Sequence, residues 1–272
     1  MNHRLPAGEF FGQQSPAFEV MGFRLTESRY SSGLKLPQHS HELAKFCFVI
    51  SGNYLETIGR YTHTRRPLTL TFHPPDTTHA EAHNTNGHHF LVEIDRRWLD
   101  YAREYSAMLD SPVEATNAPP VRIATQLYNE FHHLDKVSPL AVQGLMLELL
   151  AETSRRLSNE TTCKPPRWLT QVKEELHERF QENLSLDELA GSAGVHAVHL
   201  ARSFRKFHHC TIGDYVRELR IEYASRQLSY TDKPLAEIAA LAGFADQSHF
   251  SRLFKRQTGM LPKAYRNTFR LG

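Results

Sequence analysis

The chain has 272 residues, 40% of them apolar and 10% aromatic. That is enough to bury one large core or, as expected here, two of ordinary size, and it excludes disorder over most of the length. The longest apolar stretch, Leu140 to Ala151, is interrupted by Gln143, Gly144 and Glu148 and is too short and broken to span a bilayer. Met1 to Val20 has no apolar segment of the secretory kind, and Cys47, Cys163 and Cys210 form no C-x-x-C and cannot all pair, which together point to a reducing, cytoplasmic setting.

The formal charge of +2 conceals an asymmetry: residues 1–163 carry 15 Lys+Arg against 18 Asp+Glu, and residues 164–272 carry 17 against 12. A basic half behind an acidic one predicts that only the second meets a polyanion. Histidine is also uneven, with eight of the 17 between His39 and His89.

Taken in chain order, Phe18 to Ile94 reads as short strands separated by turns. Phe46 to Ile50 is a β-rich run ending at Ser51-Gly52-Asn53, after which Tyr54 to Ile58 begins a return strand. Leu68 to Phe72 alternates apolar and polar, and Phe90 to Ile94 closes the series. Such spacing predicts a sandwich or barrel. Apolar residues at three- and four-residue spacing then predict helices over 97–108, 121–135 and 139–157, and 159–166, polar with two prolines, predicts a linker.

From Arg167 onward every element reads as helical. Ser185-Leu-Asp-Glu188 is a capping box opening a short helix to Ala193, and Pro234 suits the first position of a helix over Leu235 to Ala242. Asp246 is placed to cap the next helix, and Gly259 with Pro262 marks a stop and a new start. Leu186, Leu189, Ala190, Ala193 and Gly194 correspond to Leu235, Ile238, Ala239, Ala242 and Gly243, and His199, Leu200, Arg202 and Phe204 to His249, Phe250, Arg252 and Phe254. The region is two copies of one unit: a short helix, a glycine suited to a left-handed turn, an apolar plug (Val195, Phe244) and a second helix. This is the layout of a helix-turn-helix, whose second helix lies in the major groove. With Phe250 and Phe254 facing the core, Gln247, Ser248 and Ser251 face outward, with Arg252 and Lys255 beside them. With Leu200 and Phe204 inward, Val198, Ala201, Arg202 and Arg205 are left exposed. Amide, hydroxyl and guanidinium groups read base edges and small apolar groups contact thymine methyls. Between the copies, Ile212 to Tyr230 reads as one helix of roughly 28 Å, which suits two recognition helices about 34 Å apart along DNA.

The run Ala236-Glu-Ile-Ala-Ala-Leu-Ala-Gly-Phe-Ala-Asp-Gln-Ser-His-Phe-Ser-Arg-Leu-Phe-Lys-Arg-Gln-Thr-Gly259, followed by Pro262 and Tyr265-Arg266, resembles the signature of the AraC/XylS family of transcription regulators. Residues 167–268 carry the resemblance, including Tyr215, Arg217, Arg220 and Ala224. It implies a seven-helix domain with two helix-turn-helix units that binds upstream of promoters and most often activates. The first copy departs from the pattern: His209 stands where the second has Gly259, and His196 where a Ser or Asp cap is expected. The second unit is therefore expected to supply more of the sequence discrimination. A helical bundle that binds no nucleic acid explains the charge excess and the outward Gln/Ser/Arg cluster poorly.

In the N-terminal half, Gly33, His39-Ser40-His41 and Gly52 resemble the first motif of the cupin barrels, and Pro74-Pro-Asp-Thr-Thr-His79 the second. On a strand His39 and His41 share a face, and His79 from another strand would complete a three-nitrogen metal site. The carboxylate expected after the histidine pair falls at Lys45, a poor metal ligand at neutral pH, and the glycine of the second motif is Asp76. The favoured reading is therefore a metal-free barrel whose interior takes a small effector, with no cofactor. His88-His89, His132-His133 and His208-His209 are read as surface polar residues, Arg65-Arg66 as a solvated turn, and Cys47 as a buried small hydrophobe. Leu140, Leu147 and Leu150 line one side of 139–157, which packs on the barrel and offers a stripe for a second subunit.

The expected protein is thus α+β: a cupin-like sensing and dimerisation domain over 1–158, a linker over 159–166, and a DNA-binding domain over 167–272. The expected function is a ligand-responsive, sequence-specific regulator, more often an activator, working as a homodimer on double-stranded DNA with RNA polymerase as a further partner, and without catalytic activity. No Ser/His/Asp, Cys/His or phosphate-loop arrangement competes. The alternatives are a cupin-type metalloenzyme with a helical appendage, and a constitutive DNA binder whose barrel only dimerises.

Overall fold

The computed structural model describes residues 3–105, 107–116, 119–158, 165–208 and 210–269; Cys163, His209 and most of the expected linker lie outside them. The chain divides into two compact units, Met1–Ser158 and Asn159–Gly272.

The first unit is sheet-rich. Its strands are β1 (His3–Leu5), β2 (Gln13–Gln14), β3 (Phe18–Val20), β4 (Phe23–Tyr30), β5 (Lys35–His41), β6 (Ala44–Ser51), β7 (Tyr54–Ile58), β8 (Tyr61–Arg65), β9 (Leu70–His73), β10 (His79–His83), β11 (Gly87–Ile94) and β12 (Val113–Ala115). They form a five-stranded sheet, β1-β5-β10-β7-β8, and a seven-stranded path, β12-β9-β6-β11-β4-β2, with β3 also on β4. Three helices follow or intervene: α1 (Arg96–Arg103), α2 (Pro120–His132) and α3 (Ser138–Ser158).

The strands expected over 46–50, 54–58, 68–72 and 90–94 are present within one to three residues, but two expectations need correction. The two sheets are separate among the described residues rather than closed into one barrel. And β7 does not return along β6: it pairs with β8 and β10, in the other sheet. The chain changes sheets at Gly52, whose φ of +82° suits glycine and where a Cβ would lie 2.3 Å from the Asn86 carbonyl oxygen. The close-packed neighbour is the 84–87 turn, tied to Asn53 by its amide donating to Thr85 Oγ1 at 2.9 Å.

β6 and β11 are the centre of the larger sheet and every residue of both is buried. Side chains therefore alternate between two different cores. Phe90 packs on Tyr128 and Phe131 of α2; Leu91 and Cys47 pack on Phe10. This overturns the surface reading of the histidine pair at 88–89. Both are buried, on opposite faces: His88 bonds Glu27 at 3.0 Å, and His89 stacks near Tyr30 and Tyr54. Glu27 also accepts from His132 of α2 at 3.0 Å. Burial pushes its carboxyl up, but His88, Tyr128 and His132 outweigh this and hold it at about 2, so one carboxylate joins β4, β11 and α2. Arg65 is likewise not solvated: it is buried and paired with Glu56 at 2.7 Å and with Glu114. Cys47 is buried as expected, its thiol pushed up to about 12 by burial.

The second unit is helical: α4 (Arg167–Arg179), α5 (Leu186–Ser192), α6 (Ala197–His208), α7 (Ile212–Tyr230), α8 (Leu235–Leu241), α9 (Gln247–Thr258) and α10 (Pro262–Phe269). The local signals read from sequence are in place. Ser185 and Glu188 form the reciprocal capping box of α5, Asp246 caps α9, and Gly259 ends α9 in the left-handed conformation; Thr211, not singled out in the sequence, caps α7. Pro234 is the residue before α8 rather than its first, with ψ at 147°. The cap missing from the pattern at α6 is supplied in part by His196, whose Nδ1 accepts from the Val198 amide at 3.3 Å.

Candidate nucleic-acid interface and buried histidine cluster

Each repeat builds its own small core. Around the first, Leu176, Leu189, Ala190, Leu200, Phe204 and Leu219 are buried, with Val195 packed against them. In the second, Ile238, Ala239, Phe250, Phe254 and Tyr265 are buried, and Phe244 plugs the turn. The turn glycines both take positive φ, +66° at Gly194 and +82° at Gly243. They differ in surroundings: a Cβ at Gly194 meets nothing within 4 Å, whereas one at Gly243 would lie 2.4 Å from the Gln181 carbonyl oxygen.

That close approach belongs to a junction centred on Arg220 of α7. Its guanidinium donates to the carbonyls of Phe180 at 2.7 Å, Glu182 at 2.8 Å and Gly243 at 2.5 Å. One side chain thus ties the end of the α4 segment, the connecting helix and the turn of the second repeat, fixing how the two repeats face. Sequence reading placed Arg220 in the family pattern without this role, because carbonyl acceptors carry no sequence signature.

Burying Leu200, Phe204, Phe250, Leu253 and Phe254 leaves the opposite faces of α6 and α9 outward. Val198, Arg202 and Arg205 are exposed and Ala201 half-buried; Gln247, Ser248, Arg252 and Lys255 are exposed and Ser251 half-buried. Among the described residues Arg202, Arg205, Arg252 and Lys255 take part in no ion pair, while Arg217 is engaged by Asp214 at 2.6 Å. A cleft of 680 Å³ between the repeats is lined by Arg202, Arg205, Arg217, Arg220 and, from the second repeat, Phe244 and His249. Uncompensated arginines beside a concave surface suit a polyanion backbone.

In the first unit, His39, His41 and His79 come together: all three are buried, and one ring nitrogen from each lies within 4.8 Å of the others. The backbone orients two of them. His39 Nδ1 bonds the Pro37 carbonyl and His79 Nδ1 the Thr77 carbonyl, both at 2.9 Å. A carbonyl partner makes each Nδ1 the protonated nitrogen and leaves Nε2 as an acceptor. Both nitrogens of His41 are buried without a hydrogen bond. Glu56, His79 and Glu81 form a second cluster within the same reach. His73 Nε2 lies 3.1 Å from Glu56 Oε1, yet both atoms lack an aligned hydrogen bond, so the contact is electrostatic. His83 Nε2 lies 3.0 Å from Glu81, and the His83 ring stacks on Tyr30 at 4.3 Å and Tyr54 at 5.1 Å. Sequence reading missed Glu81 and His83, although His79, Glu81 and His83 alternate along one strand face.

Burial lowers His39, His41 and His79, with Lys45 adding to each, His79 to about 3. Glu81 is pushed up by burial but held at about 2 by His83, Lys45 and His79. Neutral imidazoles suit a metal ion; the fourth position does not. Lys45 is buried and its Nζ sits 3.3 Å from His79 Nε2, occupying that lone pair. A dication there would face an ammonium at close range, so the residues present do not fit the metal set of the cupin pattern. Asp76 does fit its position: it takes φ of +62°, the conformation for which glycine was expected, and pairs with Arg4.

A helix-turn-helix domain family matches residues 189–268. Regulatory protein SoxS of Escherichia coli (strain K12) is 36% identical over 92 residues, which are 34% of this chain and 86% of that protein. The bifunctional transcriptional activator/DNA repair enzyme AdaA of Bacillus subtilis (strain 168) is 31% identical over 111 residues; the match covers 38% of this chain and only about half, 53%, of AdaA. Among solved structures, ToxT from Vibrio cholerae is 11% identical with a TM-score of 0.39, covering 91% of this chain and 98% of that one. No helix among the described residues is long and apolar enough to cross a membrane. With two capped repeats on one connecting helix and the SoxS match across most of that protein, the chain belongs to the AraC/XylS family of DNA-binding transcription regulators.

Proposed function

We propose that the protein is a ligand-responsive transcriptional activator without catalytic activity, in which residues 1–158 sense and dimerise, 159–166 link, and 167–272 bind DNA. The observation that carries the reading is the pair of helices α6 and α9, each with a buried apolar stripe behind it, Leu200 and Phe204 in one and Phe250, Leu253 and Phe254 in the other, and basic groups in no described ion pair in front. Val198, Ala201, Arg202 and Arg205 from one, and Gln247, Ser248, Ser251, Arg252 and Lys255 from the other, are assigned to DNA. Inserted into successive major-groove turns, they let a single chain read two adjacent half-motifs. The side chains that reach base edges specify, and the remaining cations hold the backbone.

Dimerisation is supported by α3, where Leu140 is 74% and Leu147 37% exposed while Leu150 is buried: the predicted stripe packs inward along part of its width and is left open along the rest. A second copy on that face would double the DNA contacts and set a longer operator. Effector response is supported by the buried polar interior of the first unit, whose orphaned ring nitrogens need a partner. Recruitment of RNA polymerase and a cytoplasmic site of action follow from the regulator reading. The metalloenzyme alternative is disfavoured by Lys45.

Genomic fragments retained by purified full-length protein at near-physiological salt test the proposal. Recovery of a discrete motif upstream of promoters, with a linked reporter rising when the protein is expressed, is the expected result. Uniform, salt-labile retention would reduce the protein to a backbone binder.

A further inference from the structure

His39, His41 and His79 bring three ring nitrogens together, and two carboxylates stand beside them: Glu56 and Glu81 share a second cluster with His79, Glu81 Oε1 lying 3.7 Å from His79 Nε2. All five residues are buried, and Glu56 Oε1 and both nitrogens of His41 have no hydrogen bond. Imidazole and carboxylate donors gathered in this way are a divalent-metal set, yet an ammonium stands among them. Lys45 is 4% exposed, its Nζ donates to His79 Nε2 at 3.3 Å, and the Phe10 ring face lies 5.8 Å from it. Its charge is well compensated. Buried Glu93 lies directly across from Lys45 in the register of β6 and β11, and Glu81, kept ionised against burial by His83 and Lys45, is a second counter-charge. Glu56 is matched separately by Arg65 at 2.7 Å. Lys45 thus supplies what a bound cation supplies elsewhere: positive charge for buried carboxylates, and a bond to an imidazole lone pair turned inward.

We propose that the Lys45 ammonium is the resident cation of the first unit, tethered in the place of a metal ion, and that the charge at residue 45 alone closes the histidine–carboxylate site to divalent metal. A lysine arrives with the chain, so the unit folds without drawing on metal ions and a chelator has nothing to remove. Closure is both steric and electrostatic. The His79 lone pair is taken by an N–H of Nζ, and a dication on the neighbouring nitrogens would stand beside a fixed positive charge in a low-dielectric interior. Neutralising residue 45 reverses both. It frees His79 Nε2, and it leaves Glu81 and Glu93 without the ammonium that answers them, a buried negative charge that a dication then satisfies. Two of the ligands are already oriented, since the Pro37 and Thr77 carbonyls hold His39 and His79 by Nδ1 and leave Nε2 as the free donor atom.

The test uses full-length wild-type protein, Lys45→Gln and Lys45→Glu, each stripped with chelator and titrated with cobalt(II), read by visible d–d absorption and by metal retained through gel filtration. Gln removes the charge at similar length, and Glu restores the carboxylate of the cupin pattern. The wild-type protein is expected to retain no cobalt, and each variant a single equivalent, bound at least about tenfold more tightly than at any wild-type site and lost when His39 is also changed to Asn. The urea midpoint of the wild type is expected not to move with chelator, and those of the variants to rise with cobalt. A wild-type equivalent that His39→Asn removes would overturn the proposal, because the ammonium would then not close the site. So would folded Lys45→Gln and Lys45→Glu that retain no cobalt, or retain it regardless of His39. Variants that fold only with cobalt present would support it, because the ion then replaces the lost charge. Failure of both to fold even with cobalt would overturn it, since an ion could not take the ammonium's place.

Discussion

Gly194 and Gly243 occupy the same position in the two repeats, both at positive φ, and so form an internal control. Alanine at Gly194 pays only for the left-handed backbone, because its Cβ enters open space; the expected loss is about 1–2 kcal/mol. Alanine at Gly243 pays the same and also places Cβ 2.4 Å from Gln181 O and 2.9 Å from its carbonyl carbon. Backbone cannot yield as a flexible side chain does, so a further overpacking cost of about 1–3 kcal/mol is expected, and with it displacement of the Gly243 carbonyl from Arg220. The assay is urea unfolding of the full chain followed by Trp168 fluorescence in a Trp98→Phe background, since these are the two tryptophans and Trp168 packs on the first-repeat core. Equal losses at the two glycines would refute the reasoning, because it would mean the close approach to Gln181 does not constrain the second turn.

Three further outcomes follow from the same geometry. Arg220→Met should remove three carbonyl bonds, lowering stability by about 2–4 kcal/mol, and should cost affinity for a two-part operator more than for either half alone, measured by fluorescence anisotropy. Arg252→Ala should weaken specific binding by about 1–3 kcal/mol and relax preference at one base, with Gln247→Ala costing more discrimination than Val198→Ala; an equal loss on all sequences would assign Arg252 to phosphate. His79 and His89, each lowered to about 3 chiefly by burial, stay neutral in the folded chain while the unfolded chain takes up protons below about 6.5. Stability is therefore full above that value and falls as pH drops toward 3, by about 2–3 kcal/mol between pH 7 and 5.5 for the pair, with Glu27 and Glu81 adding losses between about 4.5 and 2; a flat urea midpoint over that range would contradict the buried, neutral assignment.

The helical unit was legible almost residue by residue because its signals are local. Ser185 with Glu188, Asp246, Gly243 and Gly259 act within one turn of where they stand, and the spacing of Leu200 with Phe204 and of Phe250 with Phe254 fixes which faces are buried. The sheet unit was legible only in part, because its outcome depends on which strands come to lie on either side. His88 and His89 read as surface polar residues ahead of the strand over 90–94; they belong to β11, which as a central strand buries both, on opposite faces. Arg65 looked like a solvated turn until β7 and β12 brought Glu56 and Glu114 to it. Crossing between sheets at Gly52 could not be told from a hairpin, since both need the same glycine. The gathering of His39, His41 and His79 was legible from motif spacing, and so was the misfit at Lys45; what the ammonium does there needed the positions of His79 and Phe10.

In the proposed function one chain reads two successive major-groove turns through α6 and α9 held apart by α7. Inserting about five base pairs, half a helical turn, between the two half-motifs of a selected operator tests it most directly. Affinity of the full-length protein is expected to fall on the order of 100-fold or more, toward non-specific binding, and a variant with Arg202 and Arg205 both changed to alanine is expected to be much less sensitive to the insertion. Unchanged affinity on the spaced operator would contradict it, leaving a single repeat to do the reading.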